Sequence, residues 1–281
     1  MAVITISRHP GSLGDTIARA IAERLNYRLV ERAELVQLAE RIGGSDVAWD
    51  RAPELRERSP SFWERLNDER GRYVGVLRGV TMELAAQDNV VIVGLGAGQL
   101  LGGLRHVLRL QVVAADAVRL ARLMAEGFEQ SAPPLARAHA RNLLRHRERE
   151  SAAYMRALFD IDWLDPQHSD LVLNTDRFSV GEGVEIVAHL VQSGVLRPSA
   201  ADTQYLDDLV LASRVESAFR GDGSRQVDGL RVAAHAGHVN VQGAVFGEDD
   251  RIALEQLGCE IPGVRVFESE LRLQPPVLSD I

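Results

Sequence analysis

Two glycine turns and one arginine-rich helix hold the residues whose types and spacing could do chemistry. The first turn, Arg8-His-Pro-Gly11-Ser-Leu-Gly14-Asp-Thr16, follows the apolar, β-branched run AVITIS. It precedes a segment with apolar residues at helical spacing: Ile17, Ala18, Ile21, Ala22 and Leu25. Strand, glycine turn and helix N-terminus in that order set backbone N–H groups around an anion, and the helix dipole adds its attraction. The G-x-x-x-x-G-K-[ST] pattern of a full phosphate loop is incomplete, because the chain contains no lysine. Many α/β proteins turn from strand to helix on glycine only to pack tightly, so the local pattern leaves that alternative open. The second turn, Gly94-Leu-Gly-Ala-Gly98, follows another buried-strand run, NVVIV at 89–93.

All 32 basic side chains are arginine. A guanidinium grips phosphate through two parallel hydrogen bonds, as a planar fork and not as a compact ammonium. The spacing predicts a long helix over 135–158, carrying Arg141, Arg145, Arg147 and Arg149. These are either phosphate ligands or a solvated face partnered by Glu148 and Glu150. Asp162-Trp-Leu-Asp165-Pro reads as a structural corner in preference to a catalytic carboxylate site. His106, His139, His146 and His168 lack metal-ligand spacing and read as surface or packing residues. Trp49, Trp63 and Trp163 read as packing residues, and Cys259 as a small core residue.

The elements that must position these groups alternate. Apolar runs at 2–7, 89–93, 107–114 and 171–174 are separated by amphipathic helical segments, with a further short strand at 28–30. Strands apolar on both faces, interleaved with helices, predict an α/β doubly wound parallel sheet. A polar stretch over 43–60 reads as a connection or short helices, and 194–203 as a linker. The pattern then changes to α-β-β-α-β within about 70 residues, with a hairpin predicted about Ala236-Gly-His238. A chain of 281 residues is long enough for two domains.

The segment ITISRHPGSLGDTIA resembles the opening of the cytidylate-kinase-like family, where ITISR, GSGG and then IA recur and the phosphate-loop lysine is commonly absent. VVIVGLGAG resembles that family's VIVGRGA. The stretch YMRALFDIDWLDPQHSDLVLNT resembles its most specific block, Y-x-R-x-F-x-x-D-W-x-D-P-x-x-x-D-L-V-x-N-T. The resemblance runs from Val3 to about Leu190 and implies a P-loop nucleoside monophosphate kinase fold over 1–194. It implies ATP phosphates and Mg²⁺ on a turn formed by Arg8, Gly11, Ser12, Gly14 and Thr16, with the Thr16 hydroxyl on the metal side. It also implies a monophosphate acceptor such as CMP in an adjoining cleft, and lid arginines drawn from Arg119, Arg122, Arg145, Arg149 and Arg156.

Three positions depart from the family's pattern. Leu13 replaces the middle glycine of GSGG, Asp15 places a carboxylate at the helix start, and Leu95 replaces the arginine of GRGA. They raise the alternative of a catalytically silent nucleotide sensor or scaffold. Residues 235–273 resemble a BON domain, through Gly237-His-Val239-Asn-Val241-Gln-Gly243-Ala-Val245 and Gly263-Val264-Arg-Val266. This implies a small α+β binding module over 204–275, joined by a linker at 195–203. There Gly243 would lie where strand meets turn, and the valines would be core. Such a module implies a protein or lipid partner. Residues 201–281 carry 14 acidic and 7 basic side chains, which argues against nucleic acid or anionic lipid held by charge alone. No run is long enough to span a membrane and the N-terminus opens as a strand, so a cytoplasmic protein without a signal peptide is expected.

Overall fold

The computed structural model describes residues 2–43, 60–127, 133–221 and 227–274. Most of the polar connection read over 43–60, Trp49 and the Trp63 side chain lie outside the described residues. Five strands, β1 (Val3–Arg8), β2 (Arg28–Val30), β3 (Val90–Val93), β4 (Val107–Val113) and β5 (Leu171–Asn174), form one sheet in the order β2-β3-β1-β4-β5. Every pairing is parallel. The chain steps outward from β1 to β2, returns through β3, and crosses to β4 on the other side. The order therefore reverses around β1, and the crevice at the carboxyl ends of such strands is where open α/β sheets take ligands.

Helices cover both faces, as continuous apolar strands require. On one face α1 (Gly14–Leu25) and α7 (Val180–Gln192) bury Ile17, Ile21, Val184 and Val187 against Ile4, Ile6 and Val91. On the other, α2 (Arg32–Gly43) and α3 (Pro60–Ala86) bury Leu35, Leu77 and Val80 against Val3, Val90 and Ile92. The second glycine turn continues into a one-turn helix, α4 (Ala97–Leu100), which the glycine-rich sequence had concealed. Two further helices, α5 (Asp116–Gly127) and α6 (Pro133–Phe159), pack together beside the carboxyl end of β4 through a small cluster of Leu120, Ala140 and Leu144. Trp163 is buried, and the corner around it is structural: Asp162 and Asp165 accept from the Leu164 and Gln167 amides.

The remaining chain folds as α8 (Ala200–Gly221), β6 (Asp228–His235), β7 (His238–Val245), α9 (Glu248–Glu260) and β8 (Val266–Leu273). Its sheet, β6-β7-β8, is mixed: β6 pairs antiparallel with β7, and β8 parallel with it. Helix α8 starts inside the segment read as a linker, because Ser199 and Asp202 satisfy each other's backbone amides at its first turn. Its two faces serve two cores. Leu206 and Val210 enter the α2/α3 core, while Leu211, Val215 and Phe219 enter the core beneath the mixed sheet. Arg214 of α8 also pairs with Glu83 of α3.

Two expectations are corrected here. Cys259 is exposed, not core: α9 buries Leu254 and Gly258, four residues apart, and Gly258 lies under the Phe267 ring. Gly243 sits within β7, not at its turn; a Cβ there would meet Val227 at 2.6 Å, opposite the bulge between Asp228 and Arg231. Val239, Val241 and Val245 are core.

Candidate functional site

The chain leaves β1 at Arg8 and turns through Gly11 and Leu13, both in the left-handed region with φ of 76° and 66°. Three successive carbonyls of this turn are each held by a side chain from elsewhere. Arg119 Nη1 donates to Pro10 O (3.2 Å), Arg122 Nη1 to Gly11 O (3.3 Å) and Thr175 Oγ1 to Ser12 O (2.9 Å). Arg122 in turn donates to Thr175 Oγ1 at 2.9 Å and Thr175 O at 2.8 Å, so the clamp is itself braced. In a trans peptide the N–H opposes the preceding C=O. The Gly11 and Leu13 amides therefore face away from the clamp, while the Ser12 amide closes the turn on His9 O. The amides of Gly14, Asp15 and Thr16 open α1 and have no intrahelical acceptor. Ser12 is fully buried, and its Oγ has no hydrogen-bond partner among the described residues.

Asp15 occupies the lysine place of the G-K-[ST] triplet, between Gly14 and the exposed Thr16. It pairs with Arg8 Nε at 2.9 Å. Gly14 is glycine because the Arg8 side chain lies across it; a Cβ there would meet Arg8 Cγ at 2.7 Å. The same guanidinium reaches the second turn, where Nη1 lies 3.1 Å from the Cβ position of Gly94. Arg8 thus spans both glycine turns.

Between the turns and α6 opens a cleft of about 370 Å³, lined by Arg8, Arg32, Arg109, Arg147, Tyr154 and Trp163 among others. Arg109 is engaged with Asp170 through two side-chain bonds, of 2.6 and 3.1 Å. Burial raises the Asp170 carboxyl, but the bonds from Arg109 outweigh it and leave the group below its ordinary value. Arg32 and Arg147 are exposed at the cleft. Burial raises the Tyr154 phenol well above its ordinary value; its hydroxyl meets Tyr73 OH at 3.3 Å and donates to Leu95 O at 3.5 Å. The His9 ring lies 5.1 Å from that of Trp163, and neither ring nitrogen has a hydrogen-bond partner among the described residues. Burial, and then the Arg119 charge, lower its pKa and favour the neutral imidazole.

The residues expected from sequence divide into groups. Arg8, Gly11, Ser12, Gly14 and Thr16 meet at the first turn, and buried Arg119 and half-buried Arg122 join them from α5, against the turn's outer side. Arg145 and Arg149 are exposed on α6, around a shallow hollow shared with Asn142 and Glu148. Arg156, also on α6, is exposed and stands apart from them near the helix's C-terminal end. The sequence reading passed over Arg32, His9 and Tyr154, while Arg147 was read only as one of four α6 arginines that are either phosphate ligands or a solvated face. Arg32 and His9 carried a usable signal, since each follows the carboxyl end of a strand, and His9 that of β1 at the topological switch. Leu95, in the arginine place of the second turn, has φ of 52° and a buried side chain.

The model of the cytidylate kinase-like family matches residues 3–177. A protein named cytidylate kinase from Methanosphaerula palustris is 28% identical over 179 residues, spanning 64% of this chain and 91% of that one. Its namesake from Methanocorpusculum labreanum is 28% identical over 191 residues, 68% of this chain and 96% of that one. Among solved structures, an uncharacterized protein from Eubacterium ventriosum superposes with a TM-score of 0.51 at 19% identity, over 68% of this chain and 98% of that one. This last likeness is one of fold.

Proposed function

Because the chain belongs to the cytidylate kinase-like family, we propose that it binds ATP with Mg²⁺ on the turn 9–16 and a nucleoside monophosphate such as CMP in the adjoining cleft. The observation that carries this reading is the clamping of the Pro10, Gly11 and Ser12 carbonyls on one side, which turns the Gly11 and Leu13 amides to the other. The orphaned Ser12 Oγ and the open amides at the start of α1 fit a phosphate chain. Mg²⁺ favours one or two protein ligands plus phosphate oxygens, and Thr16, exposed at the start of α1, would supply the hydroxyl. The metal would neutralise charge on the bridging oxygens.

The chain's own part is positioning. The turn would hold the donor phosphates, Arg8 stands between the two turns, and exposed Arg32 and Arg147 would offer their forks to the acceptor phosphate. Arg145 and Arg149 supply charge from α6. Transfer would break the bond between the γ-phosphorus and the β,γ-bridging oxygen. It would form one to the acceptor's phosphate oxygen, giving ADP and a nucleoside diphosphate.

A second reading, nucleotide binding without transfer, is favoured by one local fact. The lysine place holds a carboxylate, and that carboxylate already occupies Arg8. We further read residues 1–194 as the kinase-like domain and 204–275 as a BON-like binding module joined through 195–203. The α-β-β-α-β order and the mixed sheet support this. The excess of acidic residues favours a protein over a lipid as its partner.

Titration calorimetry of the full chain with Mg·ATP and then CMP, with ADP formation assayed in the same samples, tests both readings. Saturable binding with turnover supports the kinase, and binding without turnover supports the silent sensor. Absence of binding to either nucleotide rejects both.

A further inference from the structure

Arg119 is the most enclosed charged side chain at the site, 2% exposed, and its guanidinium touches three segments. Nη1 donates to Pro10 O of the turn at 3.2 Å and pairs with Glu148 of α6 at 2.5 Å; Nη2 pairs with Asp116 of its own helix at 2.5 Å. The Gly11 backbone rests on the same residue, since a Cβ at Gly11 would lie 3.1 Å from both Cβ and O of Arg119. The two carboxylates are unequal partners. Asp116 is 93% exposed and its pairing is screened by water, whereas Glu148 is 28% exposed and meets the guanidinium where water is largely excluded. Glu148 is therefore the stronger of the two in fixing where the fork points.

Helix α6 is held unevenly along its length. Its last turns are anchored in the main core by Leu158, with Tyr154 and Phe159 packed alongside. Its earlier turns rest on the small Leu120, Ala140 and Leu144 cluster with α5, and on the Glu148–Arg119 pair. Segments with few buried apolar contacts open at lower free energy than the global fold. The end of α6 that carries Arg145 and Arg149 is thus the end whose seating depends on Arg119.

We propose that Arg119 is a positioning residue that couples the seating of α6 to the shape of the phosphate turn, with Glu148 as the lever. When Glu148 is seated, the fork is held against Pro10 O, and the amides beyond it keep the orientation a phosphate needs. When α6 swings out, the guanidinium loses its enclosed partner and turns toward solvent-exposed Asp116, and the Pro10 carbonyl is released. The turn and the α6 arginines would then assemble together, so that phosphate-bearing ligands favour closure and closure favours phosphate. This inference rests on the reading of 9–16 as a phosphate turn, and it makes a prediction about the protein without any ligand.

The test is hydrogen–deuterium exchange on the full chain, comparing wild type, Glu148→Gln, and Arg141→Gln as an exposed α6 charge control. Glu148→Gln should raise exchange of the Ser12 amide, which closes the turn on His9 O, by about tenfold, the scale expected for loss of a partly enclosed ion pair. The α1 and β1 amides beyond the turn should be unchanged, and the control should match wild type. The same variant should weaken Mg·ATP binding several-fold while leaving adenosine binding unaltered, a split that general destabilisation does not produce. Unchanged turn exchange in Glu148→Gln, or exchange raised evenly along the chain, would overturn the coupling. Local exchange that rises as stated in a wild type that binds neither ATP nor CMP would uphold the coupling while removing the nucleotide reading.

Discussion

The two glycine turns face each other across Arg8, and each bends through a leucine in the left-handed region, Leu13 at φ 66° and Leu95 at 52°. They are held by different means. The first turn is fixed by polar side chains that seize its carbonyls. The second is fixed chiefly by packing, with one long bond from Tyr154 to Leu95 O: Leu95 is buried, and the Phe159 ring lies where Gly96 would carry a Cβ. Polar clamping orients dipoles and leaves the inner surface open to an anion, whereas apolar clamping fixes shape and leaves little for a ligand to change. On this comparison the first turn is the responsive one, and the second is the wall against which the cleft is measured.

The largest effect should come from breaking the packed turn. Gly96→Ala would place a Cβ in the Phe159 ring on a backbone at φ 74°. Left-handed strain and overpacking together should cost about 2–4 kcal/mol in urea unfolding. A loss under about 1 kcal/mol would mean that Phe159 moves aside freely and the wall is soft.

Replacing the leucines by glycine sharpens the contrast, because the two changes should differ in outcome. Both relieve a left-handed residue, worth about 1 kcal/mol. Leu95→Gly also removes a buried side chain, at a cost of about 2–5 kcal/mol for the truncation, so its net effect should be destabilising. Leu13 is only half-buried, and Leu13→Gly should be near neutral or stabilising by up to about 1 kcal/mol. Equal losses at both positions would show that the first turn also depends on apolar packing.

A smaller effect tests the polar clamp itself. Thr175→Val keeps the shape and deletes the hydroxyl that donates to Ser12 O and accepts from Arg122. Leaving those groups without a partner should cost about 1–2 kcal/mol, and Mg·ATP affinity should fall further than adenosine affinity. Stability lost with the ATP-to-adenosine ratio unchanged would reduce the clamp to scaffolding.

Much of this was legible in the sequence, and the illegible part has a physical cause. Strands such as VITI and VVIV are apolar on both faces and could only be buried in a parallel sheet, and β2 and β5 fell where local pattern placed them. The first turn was visible because strand, glycine and helix are consecutive in the chain. The roles of Arg119 and Arg122 were not, since their acceptors lie more than a hundred residues away and only the closed fold brings them together. Cys259 was misplaced because its apolar neighbours suggested burial, while the i, i+4 spacing of Leu254 and Gly258 turns it outward. That α8 serves two cores was not legible either, because the two cannot be told apart from one amphipathic repeat.

The smallest expected effect lies in pH, and it again separates the turns. Residues 94–98 carry no titratable side chain, whereas His9 adjoins the first turn. Burial lowers its pKa most; the Arg119 charge adds to this, and Glu148 and Asp116 oppose it. In the unfolded chain the imidazole protonates near its ordinary value of 6.5, while the folded protein resists that proton until the pH is lower. The stability His9 contributes is therefore complete above 6.5 and declines as pH falls below it. His106, a buried imidazole lowered in the same direction at the other end of β4, contributes with the same sign and must be kept constant. Urea unfolding at about pH 7.5 and about pH 5.5 should show wild type losing more stability on acidification than His9→Asn. Equal losses in the two proteins would place the acid sensitivity outside the first turn and leave the two turns alike in their response to protons.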